Sequence, residues 1–306
     1  MQELNLKQSL LDYLEQTGTP EDIDFKLHDF GYRGCTCHEQ AEIGGMSHLV
    51  NFKGTDTFPG VLCAMDNYDA EMPGFSIPAS EHSTITSWGS ASELAAMDNM
   101  LDAYPTGPMA CVSDSYDIFR ACSKYWGDTL KEKVLRRDGL LVIRPDSGDP
   151  LEVVPQVLGL LGQAFGQETN SKGFNVLHPK VRVIQGDGID RNSMCEILDS
   201  MRNLGWSADN IAFGSGGGLL QKLDRDTCRF AFKCSAIKRG DVWHDVYKEP
   251  ITDSNKNSKR GRLKLINDGQ FKTVSIHDEG DDLLQTVFEN GVLYTTNFAD
   301  VRRRAV

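Results

Sequence analysis

Arg144-Pro-Asp-Ser-Gly-Asp149 brings a guanidinium and two carboxylates close together in the chain. Guanidinium matches phosphate in a forked geometry, and a carboxylate accepts from ribose hydroxyls or joins a Mg2+ shell. Asp146 capping the following turn is the structural alternative. The segment GSGGGL at 214–219 exposes bare backbone N–H groups ahead of a helix start, a phosphate cradle that Gly216 and Gly217 would form. It matches neither the P-loop nor the dinucleotide-binding glycine pattern, and a tight turn would also explain it. Gln185-Gly-Asp-Gly188 repeats the theme, with Gly186 permitting close approach and Asp187 accepting. His28-Asp-Phe-Gly-Tyr-Arg-Gly34 pairs a flat ring, Phe30, with a cation, Arg33; such a pair stacks a planar heteroaromatic and holds an anion. Asp56, the Glu81-His82 pair and Asp114 add carboxylates and one imidazole able to handle charge near neutral pH. Arg225, Lys233 and Lys248 supply positive charge, or are solvated surface cations. Together the set fits a phosphorylated sugar joined to a planar base.

Each group follows a short apolar run. The runs begin near residues 25, 48, 74, 109, 140, 181, 210 and 229, and helix-like stretches separate most of them. Strands alternating with helices predict a parallel sheet, and eight such units predict a closed βα barrel with its site at the carboxyl ends of the strands. Turn chemistry alone accounts for one Gly/Asp/Ser cluster, but poorly for eight with Arg, His and Asp mixed in. Leu6, Leu10, Leu11 and Leu14 predict a helix over 6–16. Beyond the barrel, Asp268-Gly269 and Asn290-Gly291 mark hairpin turns, and the polar stretch 252–262 reads as a loop. The expected division is a helix and linker over 1–24, an α/β barrel catalytic domain over 25–237, and a small, partly β tail over 238–306 belonging to an incomplete second domain.

Composition narrows the class. With 40% hydrophobic and 25% charged residues, the chain is neither disordered nor collagen-like. No apolar run approaches the roughly 18–20 residues of a membrane span, and the first residues lack a secretory signal, so a cytoplasmic location is expected. The net charge of −12 argues against nucleic acid or an anionic membrane as partner. Eight scattered cysteines include a Cys35-x-Cys37 pair that lacks zinc-site spacing; reduced thiols are expected, and no protein-ligated metal.

The motifs HDFGYRG, NFKGTDT, PASEHSTIT, VSDSYDI, IRPDSG, VIQGDG and NIAFGSGGGLLQKLDRD, in this order, closely resemble the nicotinamide phosphoribosyltransferases. The match runs from about residue 25 into the tail and includes FKCS and SKRGRL. The resemblance implies an irregular parallel βα barrel of the type II phosphoribosyltransferase kind. It implies phosphoribosyl transfer from phosphoribosyl pyrophosphate to nicotinamide, giving nicotinamide mononucleotide and pyrophosphate, with Mg2+ carried by pyrophosphate and ATP as co-substrate. Phe30 would stack on the pyridine, Arg33 hold phosphate or pyrophosphate, and Asp56 accept from the carboxamide. His82 would be the phosphorylated histidine, oriented by Asp114. Arg144 and Asp146 would contact pyrophosphate, carboxamide and ribose. Gly186, Asp187, Gly216 and Gly217 would take ribose and phosphate, with Arg225 and Lys233 reaching phosphates across a homodimer interface. Two departures accompany the match. Family members extend much further at the N-terminus, and Ala231 stands where they usually carry serine. Two other readings stay open: a nicotinate-using relative, and a non-catalytic nucleotide-binding subunit completed by a separate N-terminal chain.

Overall fold

The computed structural model describes residues 2–220, 222, 233–249, 257–294 and 297–304. It divides into two compact units, Met1–Leu223 with Asn297–Val306, and Asp224–Thr296.

In the first unit, six parallel strands form one sheet: β1 (Leu27–Asp29), β2 (Gly54–Thr55), β3 (Met109–Val112), β4 (Leu141–Arg144), β7 (Val181–Gln185) and β8 (Ile211–Ser215). A short antiparallel hairpin, β5 (Gln167–Thr169) with β6 (Asn175–Leu177), is inserted before β7. The sheet order is β2-β1-β8-β7-β4-β3. The run at 74 becomes a partner-switching connector instead of a regular strand. Phe75 bridges Gly54 of β2, and Ala79 bridges Ala110 of β3, both in parallel sense. Pro78, which has no N–H, sits at the switch, and its carbonyl accepts from Ala110 at 2.8 Å. The two sheet edges are thus joined, and the expected irregular barrel is present.

The eighth expected strand is not among the described strands of this sheet. Residues 229–232 lie outside the described residues, and Ala236–Arg239 (β9) pairs antiparallel with Val242–Asp245 (β10) in the second unit. Gly240 adopts a positive φ of 58°, so a tight turn folds β9 back onto β10. The second unit continues with the antiparallel pair Leu263–Asn267 (β11) and Phe271–Ser275 (β12), then Phe288–Glu289 (β13) and Val292–Leu293 (β14). The last two strands turn at Asn290-Gly291, both with positive φ. Residues 252–256 of the expected loop lie outside the described residues.

Helices coat the barrel. In α1 (Gln2–Thr17), Leu6, Leu10 and Leu14 are no more than 2% exposed, the stripe that its 3.6-residue period predicts. Helix α2 (His38–Asn51) packs on α3 (Phe58–Tyr68). The final helix, Phe298–Arg304, docks on α2 within the first unit, where Arg302 donates to the carbonyls of Leu49 and Pro73. No helix among the described residues is long and apolar enough to cross a membrane.

The barrel interior is hollow. Inward positions carry small side chains, Ala79, Ala110 and Ala212, beside Val142 and Ile184, and they line a cavity of about 1010 Å³. With alanine at three of these positions, the interior is not filled as it is by the branched layers of the ordinary eight-stranded βα barrel.

Candidate functional site

The chemistry-bearing residues follow the carboxyl ends of the sheet strands, where side chains of distant segments converge. Asp29 ends β1 and precedes Phe30 and Arg33; Asp56 follows β2. His82 opens the short helix α4 (His82–Thr86) after the connector. Asp114 follows β3, Arg144 and Asp146 stand at the end of β4, Gly186 and Asp187 follow β7, and Gly216 and Gly217 follow β8.

A hydrogen-bonded cluster joins three of these loops. His82 Nε2 lies 2.9 Å from Asp114 Oδ1. The second Asp114 oxygen accepts from the Asp146 N–H at 3.0 Å and from Ser147 Oγ at 2.5 Å. In a neutral His82 ring, donation from Nε2 to Asp114 leaves the lone pair on Nδ1. That nitrogen is 3.8 Å from Asp146 Oδ2. Burial pushes the Asp146 carboxyl above its ordinary value; Arg144 and His82 oppose the shift, and Asp114 and Asp187 add to it.

Arg144 is buried but loosely engaged. Its terminal nitrogens lie 3.6 Å from Glu81 and 3.8 Å from Asp146, and its buried Nε has no hydrogen-bond partner among the described residues. Buried donors are normally satisfied, so an unpaired guanidinium edge at a cavity wall is poised for an anionic ligand.

On the other side of the mouth, Ser76 Oγ donates to Asp56 Oδ1 at 2.5 Å, and the Asp56 N–H donates to the Asp29 carbonyl at 2.9 Å. Phe30 is anchored by its N–H to Ser215 O at 2.9 Å. Its ring lies against Gly214, where an added Cβ would stand 2.0 Å from the ring. Gly214→Ala is therefore expected to displace the ring. It should weaken binding of a planar base such as nicotinamide about tenfold while changing binding of inorganic pyrophosphate less, the scale of one lost aromatic contact. Isothermal titration of the two ligands checks this.

Phe30, Arg33, Asp56, Arg144, Asp146, Gly186 and Gly216 all line the large cavity. A second cavity of about 340 Å³ is lined by Gly186, Asp187, Gly188 and the three glycines 216–218, with Arg33 and Lys222. The two cavities share Phe30, Arg33, Gly186 and Gly216. At the opposite end of the barrel the large cavity reaches Lys26, Arg182 and Asp209. Lys26 Nζ donates there to three backbone carbonyls, and burial lowers its pKa to about 8.

Three expected residues lie outside the first unit's described residues. Arg225 lies outside the described residues. Lys233 and Lys248 are exposed residues of the second unit. Three contributors escaped the sequence reading: Ser76, Ser147 and Gly214. A serine or glycine in a turn carries no distinguishing signal; only the position of its partner reveals it.

The model of the nicotinate phosphoribosyltransferase (NAPRTase) family matches residues 25–292. The nicotinamide phosphoribosyltransferase of Xanthomonas campestris pv. campestris (strain 8004) is 51% identical over 299 residues, 94% of this chain and 64% of that protein. The nicotinamide phosphoribosyltransferase of Mycoplasma pneumoniae is 35% identical over 273 residues, 85% of this chain and 58% of that protein. The chain thus spans about three fifths of the length of these curated relatives. The crystal structure of nicotinate-nucleotide pyrophosphorylase from Pyrococcus furiosus shares the fold, with a TM-score of 0.57 at 16% identity, covering 99% of this chain and 69% of that one. With the motifs in order, the barrel in place and the family match running through both units, the chain belongs to the nicotinate phosphoribosyltransferase (NAPRTase) family.

Proposed function

We propose that the chain carries the barrel part of a nicotinamide phosphoribosyltransferase, which transfers phosphoribosyl from phosphoribosyl pyrophosphate to nicotinamide in NAD salvage. The observation that carries this reading is the shared mouth of the two cavities. A flat ring and a carboxylate face one part, and a loosely engaged guanidinium and a glycine-lined recess face the rest. Phe30 stacks on the pyridine, and Asp56 accepts from the carboxamide N–H. The glycine recess takes the 5′-phosphate, Asp146 and Asp187 take ribose hydroxyls, and Arg144 with Arg33 binds the pyrophosphate, which brings Mg2+ with it.

In the reaction the C1–O bond to pyrophosphate breaks as ribose gains oxocarbenium character, and the pyridine nitrogen bonds C1 from the opposite face. The protein supplies no nucleophile at C1. It positions the two substrates and stabilises charge on the leaving group. His82 couples ATP to the transfer: Nδ1 attacks the γ-phosphorus, ADP leaves, and the phosphorylated ring presents added negative charge beside the pyrophosphate site. Asp114 holds the imidazole for this step through Nε2.

The test is to supply the purified chain with nicotinamide, phosphoribosyl pyrophosphate and Mg2+, with and without ATP, and to measure the mononucleotide. Formation with nicotinamide and its increase with ATP are expected. Equal or better turnover of nicotinate would overturn the nicotinamide assignment. Binding of both substrates without turnover, restored by a second chain carrying the relatives' N-terminal portion, would favour the non-catalytic subunit.

A further inference from the structure

We propose that His48, a fully buried histidine outside the cavity, is a positioning residue that works as an imidazolium and sets the nicotinamide-binding pair Phe30 and Asp56 in register. The inference rests on the reading of that pair given above.

The His48 ring sits inside α2, 0% exposed, and stacks on Phe52 with ring centroids 5.3 Å apart. Both its nitrogens face oxygens. Nε2 is 2.8 Å from the Gly54 carbonyl, and Nδ1 is 3.3 Å from Glu3 Oε2. A carbonyl only accepts, and so does a carboxylate. A neutral ring would turn one bare lone pair toward an acceptor, so two protons satisfy the site and one does not.

The groups around the ring agree. Glu3 comes from α1, and Asp29 and His28 come from β1. Lys7, one turn along α1, has Asp24, Arg302 and Lys53 as its electrostatic neighbours. Burial pushes the Asp29 carboxyl above its ordinary value, and His48, the Gly31 N–H and Thr57 oppose that shift, so a charge on His48 is the largest opposing influence on this carboxylate. Burial pulls the His48 pKa down, but the Glu3 charge and hydrogen bond, Asp29 and the Gly54 carbonyl outweigh it, and the net direction is upward.

What His48 holds explains why it matters. Gly54 belongs to β2, which pairs with β1 in the register His28–Gly54 and Asp29–Thr55, and Asp56 is two residues beyond Gly54. Asp29 in turn accepts from the Gly31 N–H at 2.7 Å, tying the loop that carries Phe30. One buried cation therefore grips the strand that delivers Asp56 and faces the carboxylate that shapes the Phe30 turn. His48 and the β2 residues that it holds line neither the glycine recess nor the Arg144 wall, although the Phe30 turn borders both cavities. The larger effect should fall on the base, and the smaller on the phosphoribosyl donor.

The sign follows. A histidine raised in the folded state keeps its contribution below its unfolded value and loses it as pH rises through the folded value. Nicotinamide affinity should fall at alkaline pH. Glu3→Gln, which removes the partner charge, should move that fall to lower pH.

The experiment measures dissociation constants for nicotinamide and for phosphoribosyl pyrophosphate against pH, in the wild type, in Glu3→Gln and in His48→Gln. Nitrogen NMR of histidine-labelled protein runs in parallel. We expect both His48 nitrogens protonated at neutral pH and an acid shift of the nicotinamide profile in Glu3→Gln. His48→Gln should weaken nicotinamide about tenfold, the scale of a slight misplacement of binding groups, with the pyrophosphate donor less affected. Should His48→Gln fail to fold, the Glu3→Gln profile decides. A bare His48 nitrogen at neutral pH, an unshifted profile in Glu3→Gln, or equal losses for both ligands overturns the proposal. A wild type that binds no nicotinamide at any pH refutes instead the functional reading on which it rests.

Discussion

Arg144→Gln is expected to lower kcat/KM for mononucleotide formation by about 10²–10³, the usual cost of removing one donor aimed at developing negative charge. In the proposed transfer, leaving pyrophosphate gathers charge as C1–O lengthens, and a guanidinium answers that charge with a planar fork. The structure gives this side chain little else to do. Its Nε is buried without a partner among the described residues, and its terminal nitrogens stay 3.6 and 3.8 Å from Glu81 and Asp146, beyond good hydrogen-bond range. Removing it should leave the His82–Asp114–Ser147 cluster intact, because Asp114 is held by the Asp146 N–H and Ser147, not by Arg144. Arg144→Lys keeps the charge and loses the fork, so it should recover only part of the rate. Steady-state kinetics with varied phosphoribosyl pyrophosphate checks the pair of variants. A glutamine variant within about threefold of wild type, far inside that range, would remove Arg144 from the leaving-group site.

Arg144 and its neighbours at the rim are legible in the sequence for a definite reason. Arg144, Asp146, Gly186 and Gly216 each sit just beyond a β-rich apolar run, and a parallel sheet delivers all such positions to one rim. The glycine turn at Asn290-Gly291 was equally plain, since left-handed backbone at both positions asks for those residue types. What stayed hidden depends on packing between distant segments. Pro78 alone does not announce that its segment changes partner from β2 to β3. Ala79, Ala110 and Ala212 are ordinary strand alanines until the barrel closes around them and leaves space. Ala236–Arg239 has strand character, and Gly240 lets it pair with the residues that follow, Val242–Asp245. Ser76 and Ser147 act through hydroxyls that reach residues 20 and 33 positions away.

Ser76 sharpens the second large expectation, that Asp56→Asn reverses base selection. In the wild type one Asp56 oxygen accepts from Ser76, and in the proposed complex the other takes the ligand. A carboxylate there attracts the nicotinamide N–H and repels the nicotinate carboxylate. In the asparagine variant the Ser76 hydroxyl still seeks an acceptor, so it captures Oδ1 and turns Nδ2 toward the ligand. The amide then faces the nicotinamide NH2 donor to donor, and meets the nicotinate carboxylate donor to acceptor. An unmatched polar group in a buried site costs about 1–3 kcal/mol, so kcat/KM for nicotinamide should fall roughly 10- to 100-fold while that for nicotinate rises. The double variant Ser76→Ala, Asp56→Asn frees the amide to rotate and should restore part of the nicotinamide rate. Paired kinetics on the two bases decides the matter: if Asp56→Asn keeps the wild-type ratio, the selector lies elsewhere in the cavity.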